Sequence, residues 1–175
     1  MIDRRLFTPD GDNPPFPVPV TDDCTIPTSE MAYLLRGLLG TDAYVLEIGT
    51  GSGFQTAVLA ELCTFVFTIE LPGLLHLKTS LPKNVLLIPA NGLSFDTGSV
   101  FDAVLVTFGI ESVMPAWVKQ LKIGGRLVVP IRTGGTCKVC VYEKVGVDAL
   151  SLIDVPIYAN FTEPVTEEQH GETKL

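Results

Sequence analysis

The chain has 175 residues, 46% of them hydrophobic and 18% charged, with a formal net charge of −8. That length suits one domain with a substantial core, and the composition excludes disorder. The acidic balance, with Arg4 and Arg5 the only adjacent basic pair, argues against a nucleic-acid partner, because phosphate binding needs clustered Lys and Arg.

Residues 8–27 carry Pro9, Pro14, Pro15, Pro17, Pro19 and Pro27. Each proline fixes φ and removes a donor, so residues 1–27 read as an extended arm rather than a helix or a central strand. A core domain is expected over 28–162 and a polar, frayed tail over 163–175. "PTSEMAYLLRGLLG" reads as a helix capped by Thr28 or Ser29, with Met31, Leu34, Leu35, Leu38 and Leu39 as its apolar stripe and Gly40 as its end.

An alternation follows. "AYVLEIG" reads as a buried strand, "FQTAVLAELC" as a helix and "FVFTIE" as a strand; "PGLLHLKTSL" is a short helix or turn that puts His76 on a helix surface. "NVLLIPA" and "FDAVLVTF" are strands, "SVMPAWVKQLK" a helix with Glu111 ahead of it complementing the dipole, and "GGRLVVPI" a strand. Runs this apolar suit a parallel sheet buried on both faces. "CKVCVYEKV" and "ALSLIDVPIYA" predict a hairpin turning near Gly146 and Asp148 at the sheet edge. The expected fold is α/β: a doubly wound, mostly parallel seven-stranded sheet with a C-terminal antiparallel hairpin.

Cys137 and Cys140 form the only CxxC pair, but on a strand positions i and i+3 face opposite ways, and no second pair or nearby His completes a metal site. With Cys24 and Cys63 they are too few for a disulfide scaffold. No apolar run is long enough to span a membrane and the N-terminal residues carry no apolar signal core, so a cytoplasmic location is expected.

The chemistry concentrates in "LEIGTGSGFQTAVLAEL", Leu46 to Leu62. A strand, glycine loop and helix in that order present backbone N–H groups and a helix N-terminus at the carboxyl edge of a sheet. A dinucleotide, a methyl donor or a purely structural turn are the three readings. The spacing, Gly49-x-Gly51-x-Gly53, departs from the G-x-G-x-x-G of dinucleotide sites. Glu70, ending the next strand, stands where a carboxylate accepts from both hydroxyls of a ribose. Glu47 adds negative charge beside the loop, which a pyrophosphate opposes and a cationic sulfonium tolerates.

"TIPTSEMAYLL", "VLEIGTGSGFQTAVLAEL", "FTIE", "FDAVLVT" and "MPAWVKQLKIGGRLVVPI" resemble, in order, segments of the protein-L-isoaspartate (D-aspartate) O-methyltransferases, over roughly residues 24–160. The resemblance implies a class I methyltransferase fold, S-adenosylmethionine as cofactor, and a protein or peptide substrate methylated on the α-carboxyl of isoaspartyl residues. It also implies that Gly49, Thr50, Gly51, Ser52, Gly53 and Gln55 line the methionine and ribose side. Glu70 and Leu71 would hold the ribose end, Asn91-Gly92 the adenine, and Thr25, Ile26 and Glu47 would complete the cofactor set. The family has Asp-Gly where this chain has Asn91-Gly92; an Asn carbonyl still accepts from the adenine amine.

One departure bears on the acceptor. The family's Thr-Ile-Ser motif places a serine beside the transferred methyl, and here it reads Thr25-Ile26-Pro27. Thr28 and Ser29 are the candidate replacements, with helix capping as their alternative role. The chain also lacks most of the family's N-terminal helical region, and the helix after Glu70 is shortened. A carboxylate acceptor is already ionised at neutral pH and needs no general base, which fits a chain with only His76 and His170. Phe108, Ile110 and Trp117 read as pocket wall or core, with core preferred, and the resemblance makes "DVPIYANFTEP" the closing side of the substrate cleft. A different methyl acceptor, an inactive cofactor-binding module and a nicotinamide oxidoreductase are the alternatives to an isoaspartyl methyltransferase.

Overall fold

The structure, a computed structural model, describes residues 1–165. His170 and residues 166–175 of the expected tail lie outside the described residues. After a 3-10 turn at Arg4–Leu6, the arm forms a two-stranded antiparallel hairpin, β1 (Val18–Thr21) with β2 (Cys24–Ile26). Pro19 is tolerated in β1 because a two-stranded ribbon leaves one side of every strand unpaired. The arm is anchored rather than loose: Phe7 stacks on Phe54 with ring centroids 5.4 Å apart, and Phe7 and Ile26 are buried with Ala57 and Val58.

Helix α1 (Ser29–Leu38) is capped by Thr28, whose side-chain oxygen accepts from the Met31 N–H, and Gly40 follows its end at φ +68°. Leu35 and Leu39 are buried while Leu34 is exposed, so the stripe is narrower than its sequence suggests. The chain then runs through β3 (Tyr44–Ile48), α2 (Phe54–Leu62), β4 (Phe65–Glu70), β5 (Val85–Pro89), β6 (Phe101–Val106), α3 (Pro115–Lys119), β7 (Leu121–Arg132), β8 (Cys137–Gly146), β9 (Ala149–Ile153) and β10 (Tyr158–Ala159).

The main sheet runs β10-β8-β7-β6-β3-β4-β5, with β9 also pairing to β8; β5, β4, β3, β6 and β7 are parallel, and β8 antiparallel to β7. Seven strands were expected in it and eight are found. "ALSLIDVPIYA" divides into β9 and β10, which pair with successive stretches of β8 on the same side. The hairpin of β8 and β9 turns between Gly146 and Ala149, at the expected place.

Both faces are covered, unequally. On one, α1 and α2 lie over Val45, Val66, Ala103, Leu105 and Val128; on the other, α3 and the loops around it cover Leu46, Ile48, Ile69, Val104 and Leu127. Two predicted helical features are absent. Residues 71–84 contain turns at Pro72–Gly73 and Lys83–Asn84 and a bend at Lys78–Thr79 but no helix, so His76 is not on a helix; its backbone N–H donates to the Gly51 carbonyl at 3.0 Å. Helix α3 begins at Pro115, which puts exposed Glu111 in a bend rather than in the first turn. The short β5 edge consequently leaves Leu86 46% exposed.

Cys137 and Cys140 face opposite sides of β8, as strand geometry requires: Cys140 packs in the α3-side cluster, while Cys137 approaches Gly109 and its neighbours Val139 and Val141 join the α1–α2 side. Among the described residues the four cysteines are free and buried, and no helix is long and apolar enough to cross a membrane.

Candidate functional site

Strands β3, β4 and β5 step outward and β6 returns to the other side of β3. That reversal opens a crevice at the carboxyl ends of the parallel strands, where ligands of such sheets bind. A cavity of about 590 Å³ lies there. Its floor is the ends of β3, β4 and β6 at Ile48, Ile69 and Thr107, together with the glycine loop. Thr25, Pro27 and Thr28 close one side, and the segment 159–165 closes another.

The loop folds as it does because its glycines take conformations other residues avoid. Gly49, Gly51 and Gly53 have φ of +98°, +52° and +80°. At Gly49 a Cβ would also fall 2.3 Å from the Thr107 hydroxyl, which donates to the Gly49 carbonyl at 2.8 Å and ties β6 to the loop.

Glu70 is the anchor. Its Oε2 accepts from the Gly51 N–H at 2.8 Å and its Oε1 from the Leu71 N–H at 2.9 Å. A carboxylate has about four acceptor positions, so roughly two remain for a ligand in the cavity. Burial raises its pKa, against the lowering effect of the Gly51, Leu71 and Thr50 amides. Cys24 lies beside it, its sulfur 3.2 Å from where a Gly51 Cβ would stand. Burial and the charge of Glu70 push that thiol up to about 11, so it contributes a neutral wall.

The cavity touches most of the residues singled out from sequence. Gly49, Thr50, Gly51, Ser52 and Gln55 line it from the loop and α2. Glu70 and Leu71 line it from β4, Asn91 and Gly92 from the end of β5, and Thr25 and Thr28 from the arm and the α1 cap. Asn91 accepts from the Leu93 N–H at 3.0 Å through its side-chain oxygen, leaving one lone pair free, and the Trp117 indole holds the Gly92 carbonyl at 2.7 Å.

Four expectations are corrected. Glu47 is fully buried beneath α2, away from the cavity wall, with Oε2 accepting from Thr56 at 2.5 Å and Thr68 at 2.6 Å. Burial pushes its carboxyl up to about 8, so near neutral pH it is largely uncharged and supplies no negative field beside the loop. Ile26 is off the wall because it is fully buried in the core between the arm and α2, packed with Phe7, Phe54, Ala57 and Val58. Gly53 faces Leu77 and Leu81 rather than the cavity, and Ser29 opens α1 without reaching the wall.

Other wall residues were missed. Ile48, Ile69 and Thr107 all lie at, or within one residue of, the carboxyl ends of parallel strands, so the crevice rule alone identifies them. Met31 and Leu35, expected only in the apolar stripe of α1, also line the cavity, and of the three residues left between wall and core Phe108 lies on the wall while Ile110 and Trp117 are buried in the core. Asn160 and Phe161, by contrast, belong to "DVPIYANFTEP", the segment expected to close the cleft, and they do line the cavity, held by the Gly109 N–H on the Thr162 carbonyl at 2.8 Å and by Arg132 paired with Glu163.

Among the described residues no Lys, Arg or His lines the cavity, and the ionisable wall groups are Asp23, Cys24, Glu70 and Glu163. The wall therefore suits a ligand that is neutral or cationic where it meets Glu70, and recognises any anion through neutral donors.

Residues 1–158 match the family model described as protein-L-isoaspartate(D-aspartate) O-methyltransferase. The protein-L-isoaspartate O-methyltransferase of Opitutus terrae is 40% identical over 146 residues, covering 74% of this chain and 61% of that protein. That of Syntrophotalea carbinolica is 35% identical over 149 residues, covering 80% and 69%. The chain thus spans about 60% of the length of a typical relative. A solved protein-L-isoaspartate O-methyltransferase superposes with a TM-score of 0.72 at 21% identity, over 94% of this chain and 59% of that one. A Plasmodium falciparum beta-aspartate methyltransferase in complex with S-adenosyl-L-homocysteine superposes with 0.69 at 16% identity, over 93% and 86%. These likenesses identify the class I methyltransferase fold.

Proposed function

The chain belongs to the protein-L-isoaspartate (D-aspartate) O-methyltransferase family, and we propose that it binds S-adenosylmethionine and methylates the α-carboxyl of isoaspartyl residues in a protein or peptide. The observation that carries this reading is Glu70, buried at the cavity wall, fixed by the Gly51 and Leu71 amides and still holding free acceptor positions beneath the glycine loop.

The residues present fit the cofactor. Glu70 would accept from the ribose hydroxyls, Asn91 from the adenine amine through its remaining lone pair, and the loop from Gly49 to Ser52 would lie along the methionine end. S-adenosylmethionine, when bound, supplies an electrophilic methyl group on a sulfonium centre. The chain's own task is then to orient the acceptor and exclude water. Ile48, Ile69, Leu93 and Phe108 give the wall its apolar part.

On the acceptor side, Pro27 brings no hydroxyl. Thr28 does: its oxygen accepts from the Met31 N–H, which leaves its own proton to donate. We assign Thr28 the role of holding the acceptor carboxylate, and Ser29 none beyond opening α1. An ionised carboxylate needs no proton removed, which accords with a cavity wall that carries no histidine among the described residues. The buried free thiols are consistent with a reducing, cytoplasmic setting.

The test is transfer of labelled methyl from S-adenosylmethionine to an isoaspartyl peptide, with the ordinary aspartyl peptide of the same sequence as control. Base-labile label on the isoaspartyl peptide alone is expected. Equal labelling of both, or none on either while S-adenosylhomocysteine binds, would replace this acceptor with another or with a binding role.

A further inference from the structure

Arg4 is one of the largest fully buried side chains, 1% exposed, although it is a cation. A buried guanidinium is costly unless its N–H groups are all satisfied. Here the five of them are spent on neutral acceptors. Nε donates to the Pro27 carbonyl at 2.7 Å. Nη1 donates to Asn13 Oδ1 at 3.2 Å and the Pro14 carbonyl at 2.8 Å, and Nη2 to the carbonyls of Phe16 at 2.9 Å and Ile26 at 3.2 Å. Among the described residues it forms no ion pair.

The choice of acceptors has a local cause. The Pro14, Phe16 and Ile26 carbonyls each precede a proline, so the next residue offers no N–H, and proline-rich chain cannot satisfy such carbonyls with a regular ladder. One planar fork gathers them instead. The stretches it joins, 13–16 and 26–27, run directly into Pro17 and Thr28, and Pro17, Pro27 and Thr28 all line the cavity. The fork touches no ligand-facing atom, but it sets where two pieces of the wall stand. The Pro27–Thr28 peptide bond is trans, so the Pro27 carbonyl held by Arg4 turns the Thr28 N–H to the opposite side of that peptide. Arg4 thus fixes both the position and the roll of the peptide that leads into the Thr28 hydroxyl.

We propose that Arg4 is the positioning residue of the methyl-acceptor side, a buried clamp that holds the arm and the Ile26–Thr28 turn in register with the cavity while leaving the cofactor loop to Glu70. This rests on the function proposed above. The clamp itself is a claim about the fold that stands or falls separately.

Arg4→Lys keeps the charge but offers three N–H groups where five are used, so at least two acceptors lose their partner. Hydrogen exchange should speed at least about tenfold in a peptide covering 21–33 and stay unchanged in one covering 49–62. In the methylation assay KM for the isoaspartyl peptide should rise about tenfold, with the affinity for S-adenosylhomocysteine altered less than about twofold. Asn13→Ala, which strips one acceptor from the exposed side, should show the same split at about two- to threefold and remains usable if Arg4→Lys does not fold. Unchanged exchange and KM in folded variants would overturn the clamp. So would peptide and cofactor binding weakening in parallel, the mark of general destabilisation. If wild-type protein binds no S-adenosylhomocysteine, the functional reading fails, and with it the acceptor role; the exchange comparison still decides whether Arg4 holds the wall.

Discussion

Replacing Glu47 with glutamine isolates one buried ionisation. The carboxyl is fully buried, one oxygen shared by Thr56 and Thr68 and the other without a partner. Burial moves it from the ordinary 4.5 to about 8, with the two threonines opposing the rise and Glu70 adding to it. The unfolded chain releases this proton near 4.5 and the native chain keeps it until about 8, so in between the native state binds more protons and stability falls as pH rises. The favourable contribution of the protonated group is full below the lower value and lost through the upper one. At about 1.4 kcal/mol per pH unit the ceiling over that window is roughly 5 kcal/mol. Relaxation and water entry reduce such penalties, and about 2 kcal/mol is the working expectation. Glu47→Gln keeps the shape and a carbonyl acceptor but does not titrate. Denaturant unfolding of both proteins at pH 5.5 and 8.5 cancels every other titrating group in the difference. The wild type should lose about 2 kcal/mol more than Glu47→Gln across that range, or roughly 4–8 °C in Tm for a chain of this size. A difference that is flat, or that favours the wild type at high pH, would refute the assignment of a buried, protonated Glu47.

Substitutions at three further positions address the site. Glu70→Gln turns an amide N–H toward the Gly51 or Leu71 N–H and should weaken S-adenosylhomocysteine binding at least about tenfold by calorimetry, with folding retained by circular dichroism. Thr28→Val should lower kcat/KM for the isoaspartyl peptide about tenfold or more, and cost about 1 kcal/mol of stability through the lost cap; Thr28→Ser should restore both. Pro27→Ser leaves the carbonyls that Arg4 holds in place and should raise kcat/KM if a second hydroxyl improves the acceptor site; a fall would mean that the proline's rigidity matters more.

Much of this architecture was legible because it rests on local rules. Apolar runs mark the parallel strands, the Thr28 cap and Gly40 bound α1, and the glycine loop with Glu70 forecasts one wall of the crevice. Glu47 was misread because its neighbour in sequence is the loop while its neighbours in space, Thr56 and Thr68, lie on α2 and β4; strand alternation turns it under the helix. Phe108 illustrates the converse: an aromatic just past a strand end reads as core, yet the crevice opens there. Arg4 was only half of a basic pair in the sequence, since its five acceptors come from residues brought together by the arm's return. The closing segment around Asn160 and Phe161 depends on contacts with Gly109 and Arg132, a separation that no local pattern encodes.

If the cavity under the glycine loop is a sulfonium-nucleoside site gripped by Glu70, calorimetric titration of the wild-type chain with S-adenosylhomocysteine, with NAD as the competing ligand, will show it. One saturable site for S-adenosylhomocysteine is expected, lost or greatly weakened in Glu70→Gln, with no heat from NAD. Folded protein that binds NAD instead, or binds S-adenosylhomocysteine equally well without the Glu70 carboxylate, would contradict that reading.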